Sequence, residues 1–463
     1  MLSRILLTVA TAAAVSPFSN DPWAPVRDIV SSEDAIWVSN LSRGFVFTAG
    51  NASGRQFTYE RGHKASQRLL LASASKFPAA LAIAGAVADG HLTFDTHAHE
   101  VFGWWSASPT DPRSGVTLRQ LLSFTSGFYW DDPSSGAAKC MSSLDGSIIF
   151  SPEECAKQIY ERAPFKYKPG TTFAYNSFHL QIAGAMAAKA AGISLQQLLH
   201  KYLIDKLQLK RTEWLLGQNP QLAAGMTSTA DDYDVILRSY MAYELVPKAV
   251  ADEMERDYLS PPYASQICDW CDSLTDYFGH YSMSNWYECL HSWAGGATSN
   301  VSWTPQCAND RIHMDLGLFG WYPLLDRKKG VYFQIAQQVI AGLNSTNPGC
   351  EGATLLRLQV KPAVDRALGH VVASAEDISA AVGSNDDEVA TAAAVAVAAA
   401  SARLGYDNTP ASLWTELSHA LDAQLREEEA AAAVSAAVAG ERSWAQAARD
   451  AMAAALEWAV SFA

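Results

Sequence analysis

The sequence predicts an α+β domain: an antiparallel sheet flanked by helices, with a helical region beside it and an Ala-rich helical extension after it. Three observations carry that expectation. Hairpin-like pairs of strand-forming runs stand near both ends of residues 27–372. Helix-favouring apolar stretches lie between them. From 373 to 463 the composition shifts to runs such as "ATAAAVAVAAASARL", which favour helix but bury little surface.

Each element follows in order. "GFVFTAGNASGRQFTYERG" reads as two strands around an Asn-Ala-Ser-Gly turn. "LLLASASKFPAALAIAGAVADGHL", residues 69–92, reads as a helix that begins near Ser73 and stops where Asp89-Gly90 supplies a terminal glycine. Pro78 removes one backbone donor from it and is expected to kink its first turns. "VTLRQLLSFTSGFYWDDP" is a short helix running into a glycine turn, and Thr171 to Gly192 is helical with apolar residues on most faces. Residues 210–310 carry aromatics and cysteines with little period, so loops are expected there. "LGLFGWYPLLDRKKGVYFQIAQQV" gives two apolar strands joined by a charged turn, and "TLLRLQVKPAVDRALGHVV" closes the domain with a helix near residue 372.

With 463 residues and 49% hydrophobic content the chain can bury a sizeable core. Its net charge of −14 excludes sequence-independent nucleic-acid binding, which needs a basic face. No Gly-rich loop ends in Gly-Lys-Ser/Thr, no Gly-x-Ser-x-Gly elbow is present, and His99-Glu100 lacks the second histidine of a zinc-protease helix. His97 and His99 read as a surface turn, so neither a metal nor a cofactor is expected.

Residues 1–18 have the order of a secretory signal peptide: Arg4, an apolar stretch from Ile5 to about Val15, then small residues. That stretch is too short to span a bilayer comfortably, and the Val-Ala run of the extension is too weakly apolar, so no membrane span is expected. Seven cysteines suit an oxidising, extracellular or lumenal location. Cys140 and Cys155 flank one loop and could pair. Cys268, Cys271, Cys289, Cys307 and Cys350 crowd a later region, where "CDWC" reads as disulfide chemistry of open connectivity. Asn40, Asn51, Asn300 and Asn344 open glycosylation sequons.

The chemistry is concentrated in "SASK". Residues three apart on a helix share a face, which places the Ser73 hydroxyl within reach of the Lys76 amine. Burial among Leu and Ala disfavours the charged ammonium, and a neutral amine beside a hydroxyl can accept its proton. The helix start adds backbone N–H groups that favour the negative charge developing in acyl transfer. Ser-x-x-Lys arises by accident in many chains, and a lysine can also extend out of a helix to water, so the neighbouring motifs decide.

Those motifs resemble the serine β-lactamase, penicillin-binding protein and esterase superfamily, most closely its class C-like branch. "LASASKFPAALAIAGAVADGHLTFD" matches the nucleophile helix, and "VTLRQLLSFTSGF" matches the next element with Phe124 where histidine is usual. "YKPGTTFAYNSFHLQIAGAMAAKAAG" matches the second-motif segment, and "HMDLGLFGWYPLLDRKKGVYFQIA" matches the third motif and final strands. The resemblance covers roughly residues 40–340 and implies a β-lactamase/transpeptidase-like fold. It also implies an acyl-forming Ser73, its partner Lys76, and Tyr175 as general base and acid, its phenolate stabilised by the Lys76 cation. The family's Tyr-x-Asn is altered here: Ser177 holds the asparagine position and Asn176 comes one place early. In the third motif, usually Lys-Thr-Gly or His-x-Gly, His313 is the candidate cation and Gly317–Leu318 the close backbone approach that completes an oxyanion hole. His291 in "HSWAGG" is a rival, and Asp315 near the site would repel a carboxylate.

These readings converge on a secreted serine hydrolase. It acts through an acyl-enzyme on a small-molecule ester or amide, as an esterase, amidase or peptidase rather than a true β-lactamase. The alternative is a catalytically inactive binding protein that kept the fold.

Overall fold

The first hairpin turns at Asn51, whose Oδ1 accepts the Ser53 amide at 2.9 Å, and at Gly54, whose φ of +128° suits glycine alone. The structure, a computed structural model, describes residues 21–32, 44–129, 136–142, 150–215, 217–269, 271, 279–288, 309–339 and 348–370. The expected leader, the 373–463 extension, Asn40, Cys289, His291, Asn300, Cys307 and Asn344 lie outside the described residues.

In chain order, helix α1 (Ala24–Ser31) precedes strands β1 (Phe45–Asn51), β2 (Gly54–Arg61) and β3 (Leu69–Leu70). A 3₁₀ turn (Ala72–Ser75) then leads into α2 (Lys76–Ala88), followed by α3 (Leu118–Leu122) and α4 (Pro152–Arg162). Next come β4 (Thr172–Phe173), α5 (Phe178–Ala191), β5 (Glu213–Trp214) and β6 (Met226–Ser228). Helices α6 (Ala230–Met241) and α7 (Lys248–Met254) precede β7 (Gln266–Ile267) and β8 (Trp286–Tyr287). Strands β9 (Ile312–Met314), β10 (Tyr322–Asp326) and β11 (Val331–Ala336) and helix α8 (Pro348–Ala367) follow, with shorter helical segments such as Ala98–Val101 and Leu195–Leu199 between the elements named.

The main sheet has the order β2-β1-β11-β10-β9-β8. Its centre is the antiparallel pairing of β1 with β11, from Val46↔Ala336 to Asn51↔Val331, so the two hairpins read from the sequence close on each other. Both faces of β1 are buried. Phe47 turns to Phe57, which stacks on Trp23 at the head of α1, whereas Thr48 turns to Gln334 and the start of α6. Helix α8 packs on α1, and α6 packs on β1 and β11. Beside the sheet, α2 packs on α5 and α5 on α4. Residues 76–86 and 178–188 of α2 and α5 are buried all round, as their near-continuous apolar sequences require.

Three expectations are corrected. Pro78 is not deep in the helix: the 3₁₀ turn ends at Ser75, so Pro78 is the third residue of α2, in the first turn, where N–H groups have no intrahelical acceptor and its missing donor matters little. The 171–192 segment is not helical throughout, because β4 pairs with β7 and α5 begins only at Phe178. The 210–310 region contains α6 and α7. Asp231, Asp232 and Asp234 mask the period of α6, yet Tyr233, Ile236, Leu237, Tyr240 and Met241 follow helical spacing. Thr229 caps it by accepting the Asp232 amide at 3.1 Å.

The Asp326-Arg327 turn is tied to the helical region through Glu255, whose side chain is 2% exposed. Arg327 Nη2 donates to it at 2.6 Å and Nε at 3.0 Å, Arg311 pairs with it, and Arg327 Nη1 donates to Met241 O at 2.8 Å. Glu255→Ala leaves the buried Arg327 guanidinium without its counter-ion, so it is expected to lower the unfolding free energy by about 3–5 kcal/mol. Urea denaturation checks this, and a loss below about 1 kcal/mol would show that Arg327 does not depend on Glu255.

Candidate active site

Ser73 owes its position to a short, constrained stretch of chain. β3 pairs with β6 at Leu69↔Ser228 and Leu70↔Thr227, and the Leu71 amide donates to Met226 O at 3.0 Å. Ala72 then adopts φ +51°, a left-handed conformation that costs a residue with a side chain about 1–3 kcal/mol. Ser75 braces the turn: its Oγ donates to Ala72 O at 2.6 Å and accepts the Met226 amide at 3.0 Å. Ser73 therefore stands in the 3₁₀ turn ahead of α2, where first-turn amides have no intrahelical acceptor.

One turn on, Lys76 is fully buried, with Nζ 3.0 Å from Ser73 Oγ and donating to Ala223 O at 2.9 Å. Burial drives its pKa down to about 7, with the Asp315 carboxyl pulling the other way. A neutral amine has two N–H donors and one lone pair. Donation to Ala223 O leaves that lone pair free to face the serine proton.

Tyr175 lies in the loop between β4 and α5. Its ring stacks on Trp286 at 5.5 Å, and Lys76 Nζ sits 4.7 Å from the ring centroid. Its amide donates to Cys271 Sγ at 3.4 Å, and Cys271 is disulfide-bonded to Cys268. Burial first, and then the Asp315 carboxyl, push the phenol well above its ordinary value. The lysine thus meets the ring face, and the environment favours a neutral phenol rather than the phenolate the sequence led us to expect.

The third-motif residues separate in space. A Cβ on Gly317 would stand 2.0 Å from the Leu71 carbonyl oxygen and 3.3 Å from the Ala74 amide nitrogen, so this backbone touches the nucleophile turn. Leu318 follows it, half-buried, and its amide makes no backbone hydrogen bond among the described residues. His313, paired with Leu325 and Tyr287, packs its ring 4.4 Å from that of Tyr287. Burial holds His313 down to about 4, so it is neutral, and neither ring nitrogen has a partner among the described residues. With Phe77, Asn285 and Asp315 it lines a small cavity. The group whose charge reaches Lys76 is Asp315, two residues on.

Ser177 is at the N-cap position of α5, its Oγ buried without a partner among the described residues. Asn176 turns inward, donating to Phe128 O at 3.1 Å and accepting the Phe178 amide at 3.0 Å, and so closes the loop that carries Tyr175. Sequence reasoning missed His179. Its Nε2 lies 2.7 Å from Ala174 O and its Nδ1 2.9 Å from Ser126 Oγ, while Phe124 stacks on it at 4.8 Å. Burial takes its pKa down to about 3, so a neutral histidine pins the residue before Tyr175. The available signal was a lone histidine in the apolar run four residues after that tyrosine.

Residues 41–264 match the Beta-lactamase family model. The domain belongs to the serine β-lactamase-like superfamily. Solved structures agree on the fold. One from Bacteroides dorei classed with the β-lactamases is 22% identical over 74% of this chain and 99% of its own, with a TM-score of 0.56. EstCE1, a hydrolase with promiscuous acyltransferase activity, is 16% identical over 74% and 98%, at 0.55. A mutant simvastatin synthase from Aspergillus terreus is 16% identical over 73% and 98%, at 0.53. No curated protein matches the chain by sequence.

Within this β-lactamase-like domain, Gly317 touches the nucleophile turn, and Asp315 stands two residues before it. Read with Gly317 as the glycine of the Lys-Thr-Gly pattern that the resemblance implies, a carboxyl takes the place of the cation. Asp315 is 1% exposed, and its Oδ2 accepts the Phe77 amide at 2.9 Å, capping the first turn of α2. Burial raises its pKa, against the lowering effect of Lys76.

Proposed function

We propose that this protein is a serine hydrolase that forms an acyl-enzyme at Ser73 on an ester or amide, with esterase or peptidase activity in preference to β-lactam hydrolysis. The observation that carries the reading is the 3.0 Å approach of Ser73 Oγ to a buried lysine amine that donates to Ala223 O at 2.9 Å. As Oγ bonds to the substrate carbonyl carbon, its proton passes to Lys76. The amides of Ser73 and Leu318 face the developing oxyanion. The neutral Tyr175 hydroxyl relays the proton from Lys76 to the leaving group as the carbon–leaving-group bond breaks. Water then attacks the acyl carbon, Lys76 receives its proton, and Ser73 regains its hydrogen as the acid departs.

Residues 27–372 are the hydrolase domain in this reading, and 1–18 are a leader that directs export. The Cys140–Cys155 and Cys268–Cys271 disulfides support an oxidising compartment. Among the described residues no helix is long and apolar enough to cross a membrane. The altered second and third motifs, Ser177 and Asp315, favour esters and amides over β-lactams.

Labelling of the purified protein with a fluorescent fluorophosphonate and a fluorescent penicillin tests this. The expected result is labelling by the fluorophosphonate alone, abolished in Ser73→Ala. Penicillin labelling would restore the β-lactam reading, and absence of both labels would identify a binding protein.

A further inference from the structure

The charge at the centre has a consequence for the substrate, and it rests on the hydrolase reading above. Lys76 and Asp315 are both buried, and each feels the other's charge. When they hold one acidic proton between them, their net charge is zero, whether that proton sits on nitrogen or on oxygen. The other titratable groups facing Asp315 supply no compensating cation. Tyr175 from the loop before α5, Tyr233 from α6 and Tyr281 from the loop before β8 are phenols that burial keeps protonated. His313 on β9 is neutral. The nearby guanidinium groups of Arg311 and Arg327 are already committed to Glu255. Beside Ser73 the surface is apolar: Leu215 and Leu318 pack against Leu70, Ala72 and Phe319, and Leu318 also packs on Ala224.

A carboxylate entering such a site would lose hydration and gain no counter-ion, which is costly in a low-dielectric setting. An alkyl acyl group would gain from the same surface. We propose that the acyl site takes uncharged, apolar acyl donors and rejects carboxylate-bearing ones, and that Asp315, in the place of a cation, is the residue that sets this specificity. It acts through its charge on the centre, with its Oδ2 held by the Phe77 amide, rather than by bonding the substrate.

The test compares p-nitrophenyl butyrate with the anionic p-nitrophenyl hemisuccinate, using the full chain. The wild type is expected to favour butyrate in kcat/KM by about tenfold or more. Asp315→Lys is expected to shift the ratio at least about tenfold toward hemisuccinate, mainly through KM. Equal wild-type turnover of the two esters overturns the inference, as does a folded, Ser73-labelled Asp315→Lys with an unchanged ratio. If the lysine variant does not fold, Asp315→Asn decides. Both proteins lose one positive charge as Lys76 deprotonates, but Asp315→Asn is one charge more positive than the wild type at both ends of that titration, so its ratio is expected to lie toward hemisuccinate at both. Ratios equal to the wild type's at both ends overturn the inference. Absence of both turnover and fluorophosphonate labelling overturns the hydrolase reading itself, and the specificity with it.

Discussion

Lys76→Met is expected to lower kcat/KM on an uncharged ester by about a thousandfold while leaving the fold intact. Methionine fills nearly the same space, and the buried lysine makes two polar contacts, to Ser73 and to Ala223 O. Removing a buried amine relieves a desolvation cost, although the Ala223 carbonyl loses its donor, so the two effects oppose each other in stability. Catalysis has no such compensation, because Ser73 loses the lone pair that takes its proton. The pH profile separates base loss from misfolding. Only the neutral amine accepts a proton, so wild-type kcat/KM rises as pH passes upward through the lowered lysine value of about 7. In Lys76→Met that rise disappears. A variant that keeps both its rate and its rising limb would remove Lys76 from the mechanism.

Gly317→Ala is the second large effect. The new methyl would stand 2.0 Å from the Leu71 carbonyl oxygen, and no side-chain rotation relieves a clash with backbone. The segment carrying Leu318 must therefore retreat from the nucleophile turn, taking one of the two proposed oxyanion donors with it. Removing or displacing one such donor costs about 100- to 1000-fold in rate. Fluorophosphonate labelling kinetics should slow by about that factor, with a lower melting temperature as the packing opens. Wild-type labelling kinetics would show that the 317–318 backbone does not serve the oxyanion.

Much of the fold was legible along the chain. Both hairpins of the main sheet, α2 and α5 announce themselves by alternation, turn residues and apolar runs, because these features are written over a few consecutive positions. Cys140 and Cys155 were a readable pair for the same reason, since both edges of their loop were in view. Helices α6 and α7 were hidden because charged residues, two of them (Asp232 and Asp234) buried in α6, diluted a period that burial alone reveals. Tyr175 was read as part of a helix, although the parallel pairing of β4 with β7 holds it in the loop ahead of one. That pairing joins residues about ninety positions apart, beyond any local pattern.

The sequence by itself determined the short-range chemistry, a serine and a lysine one turn apart in an apolar helix, since helical geometry makes such neighbours touch. It could not determine what meets them from a distance. The Ala223 carbonyl that accepts from the lysine, the phenol ring whose face the lysine meets, and the carboxyl of Asp315 come from segments that converge only on folding. Their burial, not their identity alone, decides which groups hold charge, because a group's proton affinity is set by the solvent and charges that tertiary packing removes or supplies.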